Sequence, residues 1–223
     1  MMAAQLRETP ATPPLDALAE SNHRIANSLT ELASALMRQF RVIETGPDTI
    51  PRELVGDLMK DMAGRITALG RLHRLLSAPA AHGDVELDKV LTEVIDAYNS
   101  TGVFGDRLQV CANVAGCRIA ATRASTLMLI FSEIATNAVK YAHPSGLPVE
   151  LTIAAAKTPT GGLVLHVADD GVGLPEDFDE ERDAGRGLRL VRGLVESAGG
   201  RLSMRSDPLG LSFSIELPSA RQR

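Results

Sequence analysis

Three groups of residues in this chain have the types and spacing needed to handle a phosphorylated ligand. In SEIATNAVKYAH, Glu133, Asn137, Lys140 and Tyr141 stand at i, i+4, i+7 and i+8, so a helix puts a carboxylate, a carboxamide and an ammonium on one face. That set can hold a divalent cation, its waters and a phosphate together. Read alone, it is a solvated helix face. The apolar run LVLHVA, Leu163 to Ala168, leads directly into Asp169-Asp170-Gly171-Val172-Gly173-Leu174-Pro175. Carboxylates at a strand end followed by G-x-G let the backbone pass close to a flat ligand while one carboxylate accepts a hydrogen bond from an exocyclic amine. Read alone, this is an ordinary acidic turn. Further on, Gly185-Arg186-Gly187-Leu188 opens a helix, where free N–H groups and the helix dipole favour phosphate oxygens.

These groups need elements to hold them, and the periodicity supplies them. Residues 1–13 carry Ala, Thr and Pro without a period and predict a disordered lead-in. Leu15, Leu18, Asn22, Ile25, Leu29, Leu32 and Leu36 then recur at spacings of three and four, predicting a helix to about Ile43. Thr45 to Pro51 reads as a turn with a Pro suited to a first helical turn, and a second stripe follows at Leu54, Leu58, Met62, Ile66, Leu69, Leu72 and Leu76. Two such helices form a hairpin (residues 14–80) whose apolar face is too long to bury alone, so a four-helix bundle in a homodimer is expected. PAAHGD, Pro79 to Asp84, marks a boundary. Beyond it the pattern predicts helices at Val85–Tyr98, Arg123–Tyr141 and Gly187–Ala198, with strands at Arg107–Val114, Val149–Ala155, Leu163–Ala168, Arg201–Ser206 and Ser212–Leu217. The expected class is α+β, with an α/β sandwich over residues 84–219.

Composition narrows the partners. Of 223 residues 44% are hydrophobic, the formal charge is -5, aromatics make up 3% and Trp is absent, which disfavours nucleic acid as a partner. No stretch approaches the ~18 apolar residues of a membrane span and no signal-peptide core is present, so a cytoplasmic protein without membrane insertion is expected. Cys111 and Cys117 fit neither a disulfide framework nor a zinc spacing and are both expected in the core.

The three chemical groups, in this order, resemble the N, G1 and G2 boxes of the GHKL (Bergerat-fold) ATP-binding domain: SEIATNAVKYAH, VADDGVGLP and GRGLRLVRGLVESAGG. The resemblance implies that Asn137 ligates Mg2+ and that Glu133 and Lys140 support metal and phosphates. It also implies that Asp169 receives the adenine amine of ATP, and that Gly171, Gly173, Gly185 and Gly187, with Tyr141 and Leu188, line the nucleotide. Two departures stand out: Leu211 follows Gly210 where the family usually has Thr, and Asp170 stands beside Asp169 where Asn is common. In the first helix, ALAESNHRIANSL resembles the phosphoacceptor box of sensor histidine kinases of the HWE-related group, in which His-Arg-x-x-Asn replaces the commoner His-Glu/Asp. The resemblance makes His23 the phosphoacceptor, with Glu20, Arg24 and Asn27 beside it.

Those residues also make physical sense. His23 lies one position past Asn22, at the edge of the apolar seam, where a nucleotide and a partner can reach it. Glu20 at i−3 shares its side and can take the ring proton, leaving the other nitrogen to attack phosphorus. Arg24 adds positive charge that disfavours imidazolium. His73 adjoins Leu72 on the second stripe and reads as a packed bundle histidine; His82, His143 and His166 receive no role, and the charge run Glu176 to Asp183 reads as a solvated lid. The expected protein is a histidine kinase that phosphorylates His23 from Mg-ATP and passes the phosphoryl group to an aspartate on a response-regulator receiver domain. Its input is expected from a separate sensor protein or from the rest of a longer chain. A histidine phosphotransferase adaptor that does not use ATP, or a non-catalytic GHKL binding module, are the alternatives, and intact N and G1 boxes disfavour both.

Overall fold

The computed structural model describes residues 49–77 and 84–219, together with Thr30, Ala33, Ser34, Met37 and Glu44, each of which is helical. The predicted lead-in, most of the first hairpin helix, and Glu20, His23, Arg24, Asn27 and His82 lie outside the described residues.

The second stripe forms α1 (Arg52–Ser77), with Pro51 immediately before it and Glu53 in its first turn. Beyond the boundary come β1 (Asp84–Glu86), α2 (Leu87–Ser100), β2 (Leu108–Asn113), β3 (Arg118–Ala120), α3 (Ala121–Tyr141), β4 (Val149–Lys157), β5 (Leu163–Asp169), a single turn α4 (Glu180–Asp183), α5 (Arg186–Ser197), β6 (Arg201–Asp207) and β7 (Gly210–Leu217). The helix expected from Val85 starts later, at Leu87. Residues 84–86 pair antiparallel with 118–120 instead, and a three-residue ladder is too short to leave a periodic signal.

The main sheet runs β2-β4-β5-β7-β6. β2 lies parallel to β4, and the remaining pairs are antiparallel. Alternation along the strands separates the two faces. Val149, Leu151 and Ile153 of β4 and Leu163, Leu165 and Val167 of β5 are buried beneath the helices, whereas Glu150, Thr152 and His166 between them are exposed. The result is a two-layer sandwich with one open sheet face, the arrangement that antiparallel pairing permits. Cys117 is buried as expected, but Cys111 is exposed: the two-residue period of edge strand β2 puts it on the open face with Gln109.

α1 packs across α2 and α3 and shares their core through Ala68 and Leu72. The residues it buries most deeply are Asp61, Gly64, Arg65, Ala68 and Leu72, of which only Leu72 belongs to the predicted leucine stripe. Leu54 and Ile66 of the predicted stripe remain 46% and 52% exposed. Gly64 permits the approach: a Cβ there would lie 3.0 Å from two ring carbons of Tyr98. That ring is fully buried and stacked on Phe104, with centroids 4.6 Å apart, so it has nowhere to go. Gly64→Ala is therefore expected to destabilise the chain by about 1–3 kcal/mol through overpacking, despite a gain in helix propensity of up to ~1 kcal/mol. Thermal melting checks this, and a raised Tm would refute it.

Candidate functional site: a nucleotide-sized cavity

β5 carries its core-facing alternation one step further than its hydrophobic residues, and the next member of the set is Asp169. The carboxylate therefore ends a buried row and faces the helix layer at the mouth of the sheet. Its Oδ1 accepts two backbone N–H groups, from Gly171 at 3.0 Å and from Leu211 of β7 at 3.1 Å. No hydrogen bond engages Oδ2 among the described residues, which leaves that oxygen for a ligand. Burial raises the Asp169 pKa above the ordinary carboxylate value, opposed by those two N–H donors.

Beyond Asp169 the chain must turn sharply. Gly171 packs where a Cβ would meet Ala142 backbone at 2.6 Å, and the N–H of Val172 donates to the carbonyl of Ala142 at 3.0 Å. Gly173 adopts φ +70°, and a side chain there would run into the carbonyl of Asp207 at 2.4 Å. The G-x-G thus pins the loop both to the end of α3 and to β6.

α3 supplies the opposite wall. Its middle is buried, with Glu133 only 6% exposed, while Lys140 and Tyr141 emerge at its C-terminal end, Tyr141 to 69%. The N-terminus of α5 closes the third side: a Cβ on Gly187 would lie 2.9 Å from Glu133 Oε2 and 3.0 Å from Asn137 Nδ2. Together these elements enclose a cavity of about 850 Å³. Glu133, Asn137, Lys140, Tyr141, Asp169, Gly173, Gly185, Gly187 and Leu188 line it, so the structure brings together the set read from sequence except Gly171, which lies beneath the wall. The run from Glu176 to Asp183 contains the short α4, and its Phe178 and Asp183 also face the cavity. His73 is half-buried on α1, and His143 Nε2 lies 3.1 Å from Asp170 Oδ1.

The site also contains residues that sequence reasoning missed. Thr136, on the wall, has a buried hydroxyl with no hydrogen-bond partner among the described residues, an arrangement that favours a ligand with polar edges. Leu58, Asp61 and Arg65 of α1 reach the cavity as well. Asp61 and Arg65 stand at i and i+4, the spacing of an ordinary surface ion pair, and nothing in their own stretch distinguishes them from one. Arg65 Nε and Nη2 donate to Asp61 Oδ2 at 3.0 and 2.9 Å, and Nη1 donates to Glu133 Oε1. Burial alone would lower the Arg65 pKa, but the carboxylates of Glu133 and Asp61 hold it above the ordinary guanidinium value.

Among the described residues no cluster of three or more His, Cys, Asp or Glu side chains is placed to hold a metal. Glu133 and Asn137 offer two oxygen donors, which suits a hard cation that takes its remaining ligands from water and phosphate. A substitution at Gly187 tests this end of the site. Gly187→Ala adds a better helix former yet drives a methyl group into Glu133 and Asn137. Overpacking there costs the fold about 1–3 kcal/mol, offset in part by the gain in helix propensity of up to ~1 kcal/mol, so a slightly lowered melting temperature is expected together with weaker ATP binding as Glu133 and Asn137 are displaced. Unaltered affinity by calorimetry would contradict the placement.

A two-layer sandwich with a cavity bounded by an Asn-bearing helix, an Asp-Gly-x-Gly turn and a glycine-capped helix defines an ATP-binding domain of the GHKL type. Residues 122–221 match the family described as histidine kinase-, DNA gyrase B-, and HSP90-like ATPase, and residues 20–101 match a histidine kinase family. The chain thus joins a segment of a histidine kinase family to a segment of the wider ATPase family that includes histidine kinases. It is 26% identical over 210 residues to blue-light-activated histidine kinase 2 of Erythrobacter litoralis, covering 92% of this chain and 58% of that protein. It is 28% identical over 208 residues to the sensor histidine kinase PdtaS of Mycobacterium tuberculosis, covering 91% and 39% respectively. The chain thus spans well under two thirds of the length of these relatives. The fold is similar to that of the histidine kinase domain of an Erythrobacter litoralis blue-light activated histidine kinase, with a TM-score of 0.63 at 21% identity over 90% of this chain and 95% of that one.

Proposed function

We propose that this chain is the phosphotransfer and catalytic part of a two-component histidine kinase, with a helical hairpin over residues 14–80 and an ATP-binding unit over 84–219. The cavity that gathers Glu133, Asn137, Asp169 and Gly187 from three separate motifs carries the reading. Asp169 Oδ2 accepts the adenine amine, the α5 N-terminus and Lys140 hold phosphate oxygens, and Glu133 and Asn137 hold Mg2+. Bound Mg2+ would supply charge neutralisation at the phosphates. Phosphoryl transfer depends mainly on such positioning and charge compensation, and this chain's residues supply both.

The acceptor is His23. One ring nitrogen forms the N–P bond to the γ-phosphorus as the bond from that phosphorus to the β,γ-bridging oxygen breaks. ADP leaves, and Glu20 takes the proton from the other ring nitrogen. Arg24 and Asn27 flank the acceptor. The phosphoryl group then passes to an aspartate on a response-regulator receiver domain. The exposed Leu54 and Ile66 of α1 support a homodimer joined through the hairpin. Input comes from a separate sensor protein or from further parts of a longer chain, in line with the fraction of its relatives that the chain spans. Among the described residues no helix is long and apolar enough to cross a membrane.

Incubation with γ-labelled ATP and Mg2+, followed by acid and base treatment, tests the proposal. The expected product is a label lost in acid and kept in base. ATP binding without any label would leave a non-catalytic binding module, and a chain that neither binds ATP nor becomes labelled by it would leave the phosphotransferase adaptor.

A further inference from the structure

Arg65 lines the cavity from the hairpin side and touches Glu133, a residue proposed to serve the metal. It is 3% exposed and lies between two carboxylates, Asp61 on its own helix and Glu133 on α3. A buried ion pair is weak evidence for stability, because desolvation of both charges offsets their attraction; such a pair calls for another account.

The two oxygens of Glu133 supply it. Oε1 accepts from Arg65, whereas Oε2 lies on the side of Gly187, 2.9 Å from where a Cβ would stand and next to Asn137. Arg65 therefore fixes the carboxylate from behind and leaves its other oxygen facing the phosphate end of the cavity. We infer that Arg65 is a positioning residue for Glu133, through which the seating of α1 on the sandwich controls the phosphate and metal end of the nucleotide site. The inference rests on the proposed role of Glu133.

The geometry makes the coupling stringent. Gly64, one residue earlier, allows α1 to lie against the Tyr98 ring, and Ala68 and Leu72 continue the same buried line. A turn of α1 about its axis, or a slide along it, withdraws Arg65 from Glu133 Oε1, and the carboxylate then loses the contact that orients Oε2. α1 belongs to the hairpin that presents the acceptor histidine, so a rearrangement of the hairpin reaches the nucleotide site through one guanidinium. By the same link, a loaded site favours the seated helix.

Calorimetry on the full chain, with ATP in Mg2+ and with ATP in EDTA, tests this. Partners of metal-binding groups typically contribute about 10- to 100-fold to metal affinity or activity, and Arg65→Met is expected to weaken Mg2+-dependent binding by about that factor. Binding in EDTA should stay as in the wild type, and Arg65→Lys should recover part of the loss. In a Glu133→Gln background, Arg65→Met should add nothing further. Arg65→Met strands two buried carboxylates, so Asp61→Asn/Arg65→Met provides the same comparison with one charge fewer should the single variant not fold. Equal losses in Mg2+ and EDTA, or additive effects of Arg65→Met and Glu133→Gln, would overturn the inference and leave the site reading intact. Absence of Mg2+-dependent ATP binding in the wild type would overturn both.

Discussion

Replacing His23 with alanine is expected to abolish the acid-labile, base-stable phosphoryl label altogether, while His73→Ala reduces it only through packing. The two histidines stand on opposite helices of the predicted hairpin and differ in their neighbours. His23 has Glu20 at i−3 and Arg24 beside it, whereas His73 has Arg71, Leu72 and Arg74 nearby and no acid within a helical turn. An acid within a turn on the same helix distinguishes the sequence around His23 from that around His73. Glu20→Gln should accordingly slow labelling by about 10²- to 10⁴-fold, the range for a lost general base, and leave ATP affinity unchanged. Full labelling of His23→Ala would dismiss His23 as the acceptor; normal rates in Glu20→Gln would dismiss only the base.

The second large effect belongs to Asp169→Asn. In the wild type Oδ1 is held by the N–H groups of Gly171 and Leu211, so only Oδ2 is available to the ligand. In the amide the carbonyl oxygen must take over those two N–H groups, and the NH2 is then turned toward the exocyclic amine, donor against donor. A hydrogen bond to a charged group is worth about 1.5–3 kcal/mol, so affinity for ATP should fall by about 10²-fold, measured by calorimetry. The pH dependence follows from the same carboxylate. Its ionised form accepts the amine, and burial raises its pKa in the fold, so binding should be lost on acidification at a higher pH than for an ordinary Asp. An Asp169→Asn protein with wild-type affinity would remove this residue from the adenine contact.

The sequence was most legible where the local period and the tertiary environment agree. α3, β4, β5 and α5 follow their hydrophobic patterns to within a few residues, because β4, β5 and α5 each have one buried and one exposed face and α3, buried all round from Leu127 to Thr136, is largely apolar over that stretch. The cavity wall was legible for a related reason: a strand end, a helix face and a glycine-capped helix start each show in the spacing of nearby residues. What escaped was non-local. β1 and β3 are three residues each and stand more than thirty residues apart, and the parallel pairing of β2 with β4 spans a whole helix. Asp61 and Arg65 look like a solvated pair on α1 and become part of the cavity only when that helix meets α3. Cys111 shows the converse failure: its small apolar side chain reads as core, yet it stands between Gln109 and Asn113 in the two-residue period of an edge strand and takes the open face with them.

The anchoring of Asp169 by Leu211 has a kinetic side. The β4–β5 and β6–β7 pairs join neighbouring segments across short turns, and such contacts close quickly. The hydrogen bond from Leu211 to Asp169 spans 42 residues and becomes available only once β7 has docked against β5. Loop-closure entropy for that span must be met before the contact can contribute, so the adenine end of the cavity is complete only once β7 is in place. During synthesis the chain therefore acquires competence for ATP only after β7 has emerged and paired, and an unfinished chain cannot occupy its own nucleotide site.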